Sequence, residues 1–229
     1  MRHLIVIIFI VFSIKSTVSQ THEIGVFIGG SNFIGDVGAT TYIAPNSPVF
    51  GGLYKWNRSP RHAFRFSLLY SNLEGDDLDS DDPRRLERGY NFENDIIEAS
   101  LGLEFTFLDF DLHDGRNKIT PYLFSGISVA HHDNFFFNHQ GRKITENTTS
   151  LAFGIPMVLG IKARFMQHFV IGFEVGARYT FSDEIDGSVP DFDNEHPIAF
   201  GNTNNNDWYM FTGLTLTYTF GRKPCFCVF

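Results

Sequence analysis

From Glu23 onward, apolar and polar side chains alternate with period two in eight separate stretches. A chain patterned this way is suited to strands whose two faces meet unlike surroundings. The stretches lie near 23–30, 48–57, 61–72, 95–109, 118–131, 150–164, 168–181 and 207–220. The seventh shows the pattern well: Phe169, Ile171, Phe173, Val175, Ala177, Tyr179 and Phe181 share one face, and Val170, Gly172, Glu174, Gly176, Arg178 and Thr180 share the other. The last sets Trp208, Met210, Leu214, Leu216, Tyr218 and Phe220 against Gly213, Thr215, Thr217 and Thr219. Composition agrees, since 43% apolar and 16% aromatic content coexists with a mean hydropathy of only -0.08, as interleaving requires.

Alternation leaves open which face is inside. A soluble lipocalin-like barrel would put the apolar face inward. Three features favour lipid outside. The polar face is rich in Gly, Ser and Thr, which fit the narrow interior of an eight-stranded barrel. Trp56, Tyr70, Tyr179, Trp208 and Tyr218 fall near strand ends, where interfacial girdles need them. No C-terminal helix follows the last strand. The connections after strands two, four and six read as short, at Asn57 to Pro60, Phe110 to Asn117 and Phe165 to Gln167, and the other four as long and polar. The expected fold is therefore all-β, an eight-stranded antiparallel transmembrane barrel of the outer-membrane type, with short periplasmic turns, periplasmic termini and long external loops.

The N-terminus reads as a secretory signal over residues 1–19: Met1-Arg2-His3 is basic, Leu4 to Ile14 is apolar, and Thr17-Val18-Ser19 is a small-residue cleavage pattern. The apolar run is shorter than the ~20 residues of a spanning helix, and no later segment could form one. The expected organisation is a signal peptide at 1–19, a barrel at 20–220 and a periplasmic tail at 221–229. A net charge of -8 without a Lys/Arg cluster argues against nucleic acid as a partner. Cys225 and Cys227 are poorly spaced to bridge each other.

On the face assigned to the lumen stand Glu23, Glu98, Glu104 and Glu174 with Lys55, Arg65, Lys162, Arg164 and Arg178. A barrel of this size has room for side chains rather than a water channel, so these charges should pair and plug it. The acidic run Glu74 to Asp82 lacks the Gly and Glu spacing of a calcium loop and reads as solvated. His131, His132 and His139 have no partner at metal-ligand spacing and read as loop-end histidines. Ser128 with His131 or His132 lacks a third group for nucleophilic catalysis. No enzyme activity, cofactor or metal is expected.

The closing stretch D-W-Y-M-F-T-G-L-T-L-T-Y-T-F-G-R-K-P-C, from Asp207 to Cys225, resembles the end of a Bacteroidetes outer-membrane β-barrel family, DUF6089-like, that includes PorG of the type IX secretion system. E-I-G-V-F-I-G-G from Glu23, R-H-A-F-R-F-S-L-L-Y from Arg61, T-P-Y-L-F-S-G-I from Thr120 and E-V-G-A-R-Y-T-F-S-D from Glu174 extend the resemblance over most of the chain. Two stretches depart from the expected pattern: Glu184-Ile185-Asp186-Gly187 stands after Ser182-Asp183, and the loop from Asp133 to Ser150 is short. The resemblance implies a structural component of protein secretion, with a role in gliding motility where the bacterium glides. Its partners would be outer-membrane lipids and a periplasmic ring of lipoprotein and partner protein. It also marks Gly213, Leu216, Tyr218 and Phe220 as the final-strand signal read by the barrel-assembly machinery. The tail, with Arg222, Lys223, Cys225 and Cys227, is the expected contact with the periplasmic partner. The alternative places function in the long acidic loops at 73–94 and 182–206, as surface adhesion or defence.

Overall fold

The computed structural model describes residues 21–112, 118–189, 199–202 and 205–221. Eight strands run in chain order: β1 Thr21–Ile34, β2 Ser47–Asn57, β3 His62–Asp76, β4 Asn91–Thr106, β5 Ile119–Phe137, β6 Lys143–Met166, β7 Phe169–Thr180 and β8 Trp208–Phe220. Each pairs antiparallel with the next, and β8 returns to β1, so the sheet closes on itself. Closure pairs the backbone polar groups around the whole ring, a condition for crossing lipid. The register of the closing seam runs from His22 opposite Phe220 to Ile34 opposite Trp208.

Burial decides which face is inside. Along β3 the pattern alternates strictly from His62 through Leu69, with Phe64, Phe66 and Leu68 exposed and Ala63, Arg65, Ser67 and Leu69 buried. β7 exposes Phe169, Ile171 and Phe173 while Val170, Glu174, Arg178 and Thr180 are buried. The apolar face is outward, and the lipocalin-like arrangement is excluded. Trp208 and Tyr218, ten residues apart on β8, bracket a band roughly 25 Å tall at the usual strand rise and tilt. At the end bearing the termini, aromatic contacts of His22 with Tyr54 and Phe220, Trp56 with Phe64, and His168 with Tyr218 mark one border. At the opposite end, Tyr179 packs on Trp208 and Phe50 on Tyr70. This is the exterior of a barrel built for lipid. Among the described residues no helix is long and apolar enough to cross a membrane.

Several connections differ from the sequence reading. The segment from Asp133 to Ser150 is mostly strand: β5 and β6 continue to Phe137 and Lys143 and join through residues 138–142. Pairing slips between Asp133 and Phe135, and Asn147 adopts a left-handed φ of 56° opposite that slip, a bulge that twists the projecting hairpin. The connection between β4 and β5 spans 107–118, so loop length alternates less strictly than expected. The segment after β3 is structured as well. A 3-10 turn at Asp77–Asp79 leads into helix α1, Pro83–Arg88, where Asp82 caps the N-terminus by accepting from Arg84 N and Gly89 closes the C-terminus at φ 64°. The expected signal peptide lies outside the described residues, as does the tail from residue 222 with Arg222, Lys223, Cys225 and Cys227.

Candidate functional site

The interior is layered from one end to the other. At the turn end, Phe110 and Leu112 from the β4–β5 connection fold under the barrel against Val170. Above them, alternation on five strands aims charged side chains at one level. Glu104 of β4 accepts from Lys162 Nζ of β6 and forms an ion pair with Lys55 Nζ of β2, each at 2.7 Å. Arg65 of β3 forms a bidentate bridge across the lumen to Glu174 of β7, at 2.6 and 3.0 Å. Glu174 also accepts from the Tyr122 hydroxyl, for which Gly160 makes room: a Cβ there would lie 2.4 Å from the tyrosine ring. Lys55 and Arg65 are direct cross-strand neighbours. Such like charges repel, and the two glutamates offset the repulsion. Higher up, Arg178 donates to Glu98 at 3.2 Å and stacks over Phe211, and Tyr209 Oη donates to Glu98 at 2.7 Å.

Of the nine residues expected in this network, seven sit in these ion-paired layers. Glu23 is buried in the lumen, but it accepts from Asn57 Nδ2 at 2.8 Å and Thr217 Oγ1 at 2.6 Å rather than from a cation. Arg164 is displaced to the turn-end rim, because the β6–β7 register slips between it and Met166; there its guanidinium donates to the carbonyls of Met166 and Gln167. Among the described residues the ion-paired layers join three acids, Glu98, Glu104 and Glu174, to four bases, Lys55, Arg65, Lys162 and Arg178, and the lumen carries side chains at every level. Sequence reasoning passed over Tyr122 and Tyr209, whose hydroxyls donate to the same Glu174 and Glu98 oxygens that Arg65 and Arg178 hold. Their place on the polar face of β5 and β8 was the available signal.

The loop end is built rather than solvated. A core of aromatic and aliphatic side chains, including Phe33, Phe92, Phe135, Phe137, Tyr209 and Phe211, fills the top of the lumen, and loop residues Val37 and Ile185 complete it. The run Phe135-Phe136-Phe137 was the sequence sign that this hairpin faces a core. Asp77, expected in a solvated loop, is fully buried: it accepts from Gly38 N and Tyr90 N and pairs with the Arg88 guanidinium at 2.8 and 2.9 Å. Arg85 donates to the carbonyls of Gly38 and Gly35. Asp186 accepts from the backbone N–H groups of Asp36, Val37 and Ser188, tying the β7–β8 loop to the segment after β1. Burial lifts the Asp186 carboxyl above its ordinary range.

Neither His131 nor His132 is a loop-end residue. Both lie within β5, His131 facing out and His132 fully buried. Ser128 and His132 share the lumenal face four residues apart, roughly 13 Å along a strand, well beyond the reach of a nucleophile and its base. Gly213, Leu216, Tyr218 and Phe220 lie in β8 at the closing seam, the three large residues exposed on the lipid face.

A family model described as "Domain of unknown function (DUF6089)" matches residues 2–229. No curated protein matches the chain. Solved structures with a similar arrangement include Ail, the attachment invasion locus protein of Yersinia pestis, in complex with the heparin analogue sucrose octasulfate, with a TM-score of 0.47 and 11% identity over 88% of this chain and 99% of that one. Neisserial surface protein A aligns with a TM-score of 0.44 and 8% identity, covering 88% of this chain and 95% of that one. OprG from Pseudomonas aeruginosa aligns with a TM-score of 0.42 and 9% identity, covering 89% and 97%.

Proposed function

This chain belongs to the DUF6089 family, and we propose that it is a non-enzymatic outer-membrane barrel that anchors a periplasmic assembly of the type IX secretion system. The observation that carries this is the filled lumen: ion pairs and two apolar plugs occupy the interior, so the working surfaces are the two ends rather than a channel. The termini and short turns would face the periplasm and the loop end the exterior, the usual plan for such barrels. The PorG resemblance of the sequence supplies the partner class, a lipoprotein with its periplasmic companion. The tail beyond the barrel supplies the contact, since closure between β1 and β8 is complete by Phe220.

The test is co-purification of the tagged protein from outer membranes in mild detergent, beside a version truncated after Phe220. Recovery of a lipoprotein and a periplasmic protein that disappear with the tail is the expected result. An intact barrel recovered alone from both samples would overturn the anchoring role. A surface role in adhesion or defence draws its own support from the loop end, where α1, the projecting hairpin and the β7–β8 loop form a packed cap.

A further inference from the structure

Where the loop end meets the lipid border, the outer wall carries a cleft. One cavity of about 370 Å³ is lined by Tyr42 of the β1–β2 loop, Tyr179 near the end of β7, Asn205 and Asn206 ahead of β8, and Trp208 at its start. A second, of about 470 Å³, adjoins it, since Asp36, Arg85 and Asn205 line both. Cavities of this size hold small organic ligands.

The aromatic side of the cleft is held in place. Asn32 Nδ2 donates to the carbonyls of Thr41 and Tyr42 at 3.0 and 3.2 Å, fixing the backbone that presents the Tyr42 ring. That residue is 67% exposed, so the ring is open to a ligand. Trp208 packs on Tyr179 with ring centroids 4.9 Å apart, and Asn206 Nδ2 donates to Tyr179 Oη at 2.7 Å, which leaves the Asn206 side-chain oxygen as an acceptor. The Thr40 and Tyr42 hydroxyls and the Asn205 side-chain amide make no hydrogen bond to another described residue, and all three residues are exposed.

Charge decides the kind of ligand. The guanidinium groups on the cleft are already committed: Arg85 to the carbonyls of Gly38 and Gly35, Arg88 to Asp77 and the Asp36 carbonyl, and Arg84 to Asp82. Asp36, Asp82 and Asp183 stand in the same walls. A phosphate, sulfate or carboxylate would find its usual arginine partners occupied and acids nearby. What the cleft offers instead is neutral amides and hydroxyls, which both donate and accept, beside aromatic rings. A sugar ring is the matching shape, with hydroxyls that donate and accept at its edge and C–H groups on its faces.

We propose that this cleft binds a neutral saccharide, with Tyr42 and Trp208 against its C–H faces and Thr40, Asn205 and Asn206 on its hydroxyls. Tyr179 and Trp208 mark the lipid border, so the same sugar chemistry is within reach from two sources, the headgroup of a glycolipid in the outer leaflet and a free glycan. The site is independent of the anchoring role and of any periplasmic partner.

The test uses tryptophan fluorescence of the full mature barrel in detergent micelles. The chain has two tryptophans, Trp56 and Trp208, at opposite ends of the barrel, so a Trp56→Phe barrel reports on Trp208 alone. It is titrated with maltotriose, mannotriose and chitotriose. A saturable change with a Kd of roughly 10⁻³ M is expected for at least one of them, as suits an open cleft. Tyr42→Ala and Asn205→Ala, both at exposed positions, should each weaken it about tenfold or more, and sodium sulfate should not compete. Repeating the titration in vesicles with and without a neutral glycosyl diacylglycerol separates the sources: competition by the glycolipid identifies a headgroup site, and unchanged binding a site for free glycans. No change with any of the three sugars up to about 50 mM, far above that Kd, would overturn the proposal. So would binding unchanged in both variants, or displacement of the sugar by sulfate, which would mean an anion site.

Discussion

Arg65 illustrates what one residue decides inside this barrel. Its guanidinium bridges β3 to β7 through Glu174, donates to Ser67 Oγ and stacks over Phe124. Removing one member of a buried pair leaves the other charge without compensation, which costs more than the intact pair contributes. Arg65→Met should therefore destabilise the barrel by roughly 3–5 kcal/mol; adding Glu174→Gln should recover part of that loss, because no bare carboxylate then remains. Reversible urea unfolding in lipid vesicles, followed by tryptophan fluorescence, measures both. Equal stability of Arg65→Met and wild type would mean that Lys55 or water replaces the guanidinium. The sequence located Arg65 and Glu174 on the lumenal face through parity alone. It did not pair them, since partners 109 residues apart are set by barrel shear and not by spacing along the chain. Arg164 shows the reverse case: its parity was lumenal, but a register slip at the strand end sent it to the rim.

At the level of elements, the strands were legible wherever they cross the band facing lipid, because there each outward residue must be apolar and each inward one must fit a crowded polar interior. β5 shows where that signal stops. Its sequence pattern was readable near 118–131, yet the strand continues to Phe137 and pairs with β6 above the band. Past the lipid, outward positions are free to be polar, so Thr145, Asn147 and Thr149 carry no alternation even though Thr145 and Thr149 pair with β5. Ile127 lies mid-strand opposite Leu101 and is 69% exposed. Ile127→Arg should cost about 2–4 kcal/mol if it sits near the bilayer midplane, whereas Thr145→Arg, on the projecting hairpin, should cost far less. The same vesicle unfolding assay separates the two, and equal costs would place the lipid band elsewhere on the barrel.

For the whole molecule, closure and filling have one functional consequence. With Phe110 and Leu112 below, the Lys55, Arg65, Glu104, Lys162 and Glu174 layer in the middle, and Phe33, Phe135 and Phe211 above, the barrel should show no steady conductance in planar bilayers. Stepwise channel openings in wild type would contradict the filled interior. Arg65→Met, which loosens the middle layer, is the variant in which brief openings would be expected first. Two things were set by the amino-acid sequence alone: a period-two pattern that can satisfy lipid only as a closed sheet, and a balanced set of charges too numerous for the lumen to hold unpaired. The tertiary structure alone decided which acid meets which base, that the loops form a built cap, and that Tyr42 and Trp208 line one cavity. Alternation is a property of neighbours along a strand and survives in one dimension. Pairing across a lumen and convergence of loops from β1 and β7 depend on register, twist and closure, which no local stretch of sequence contains.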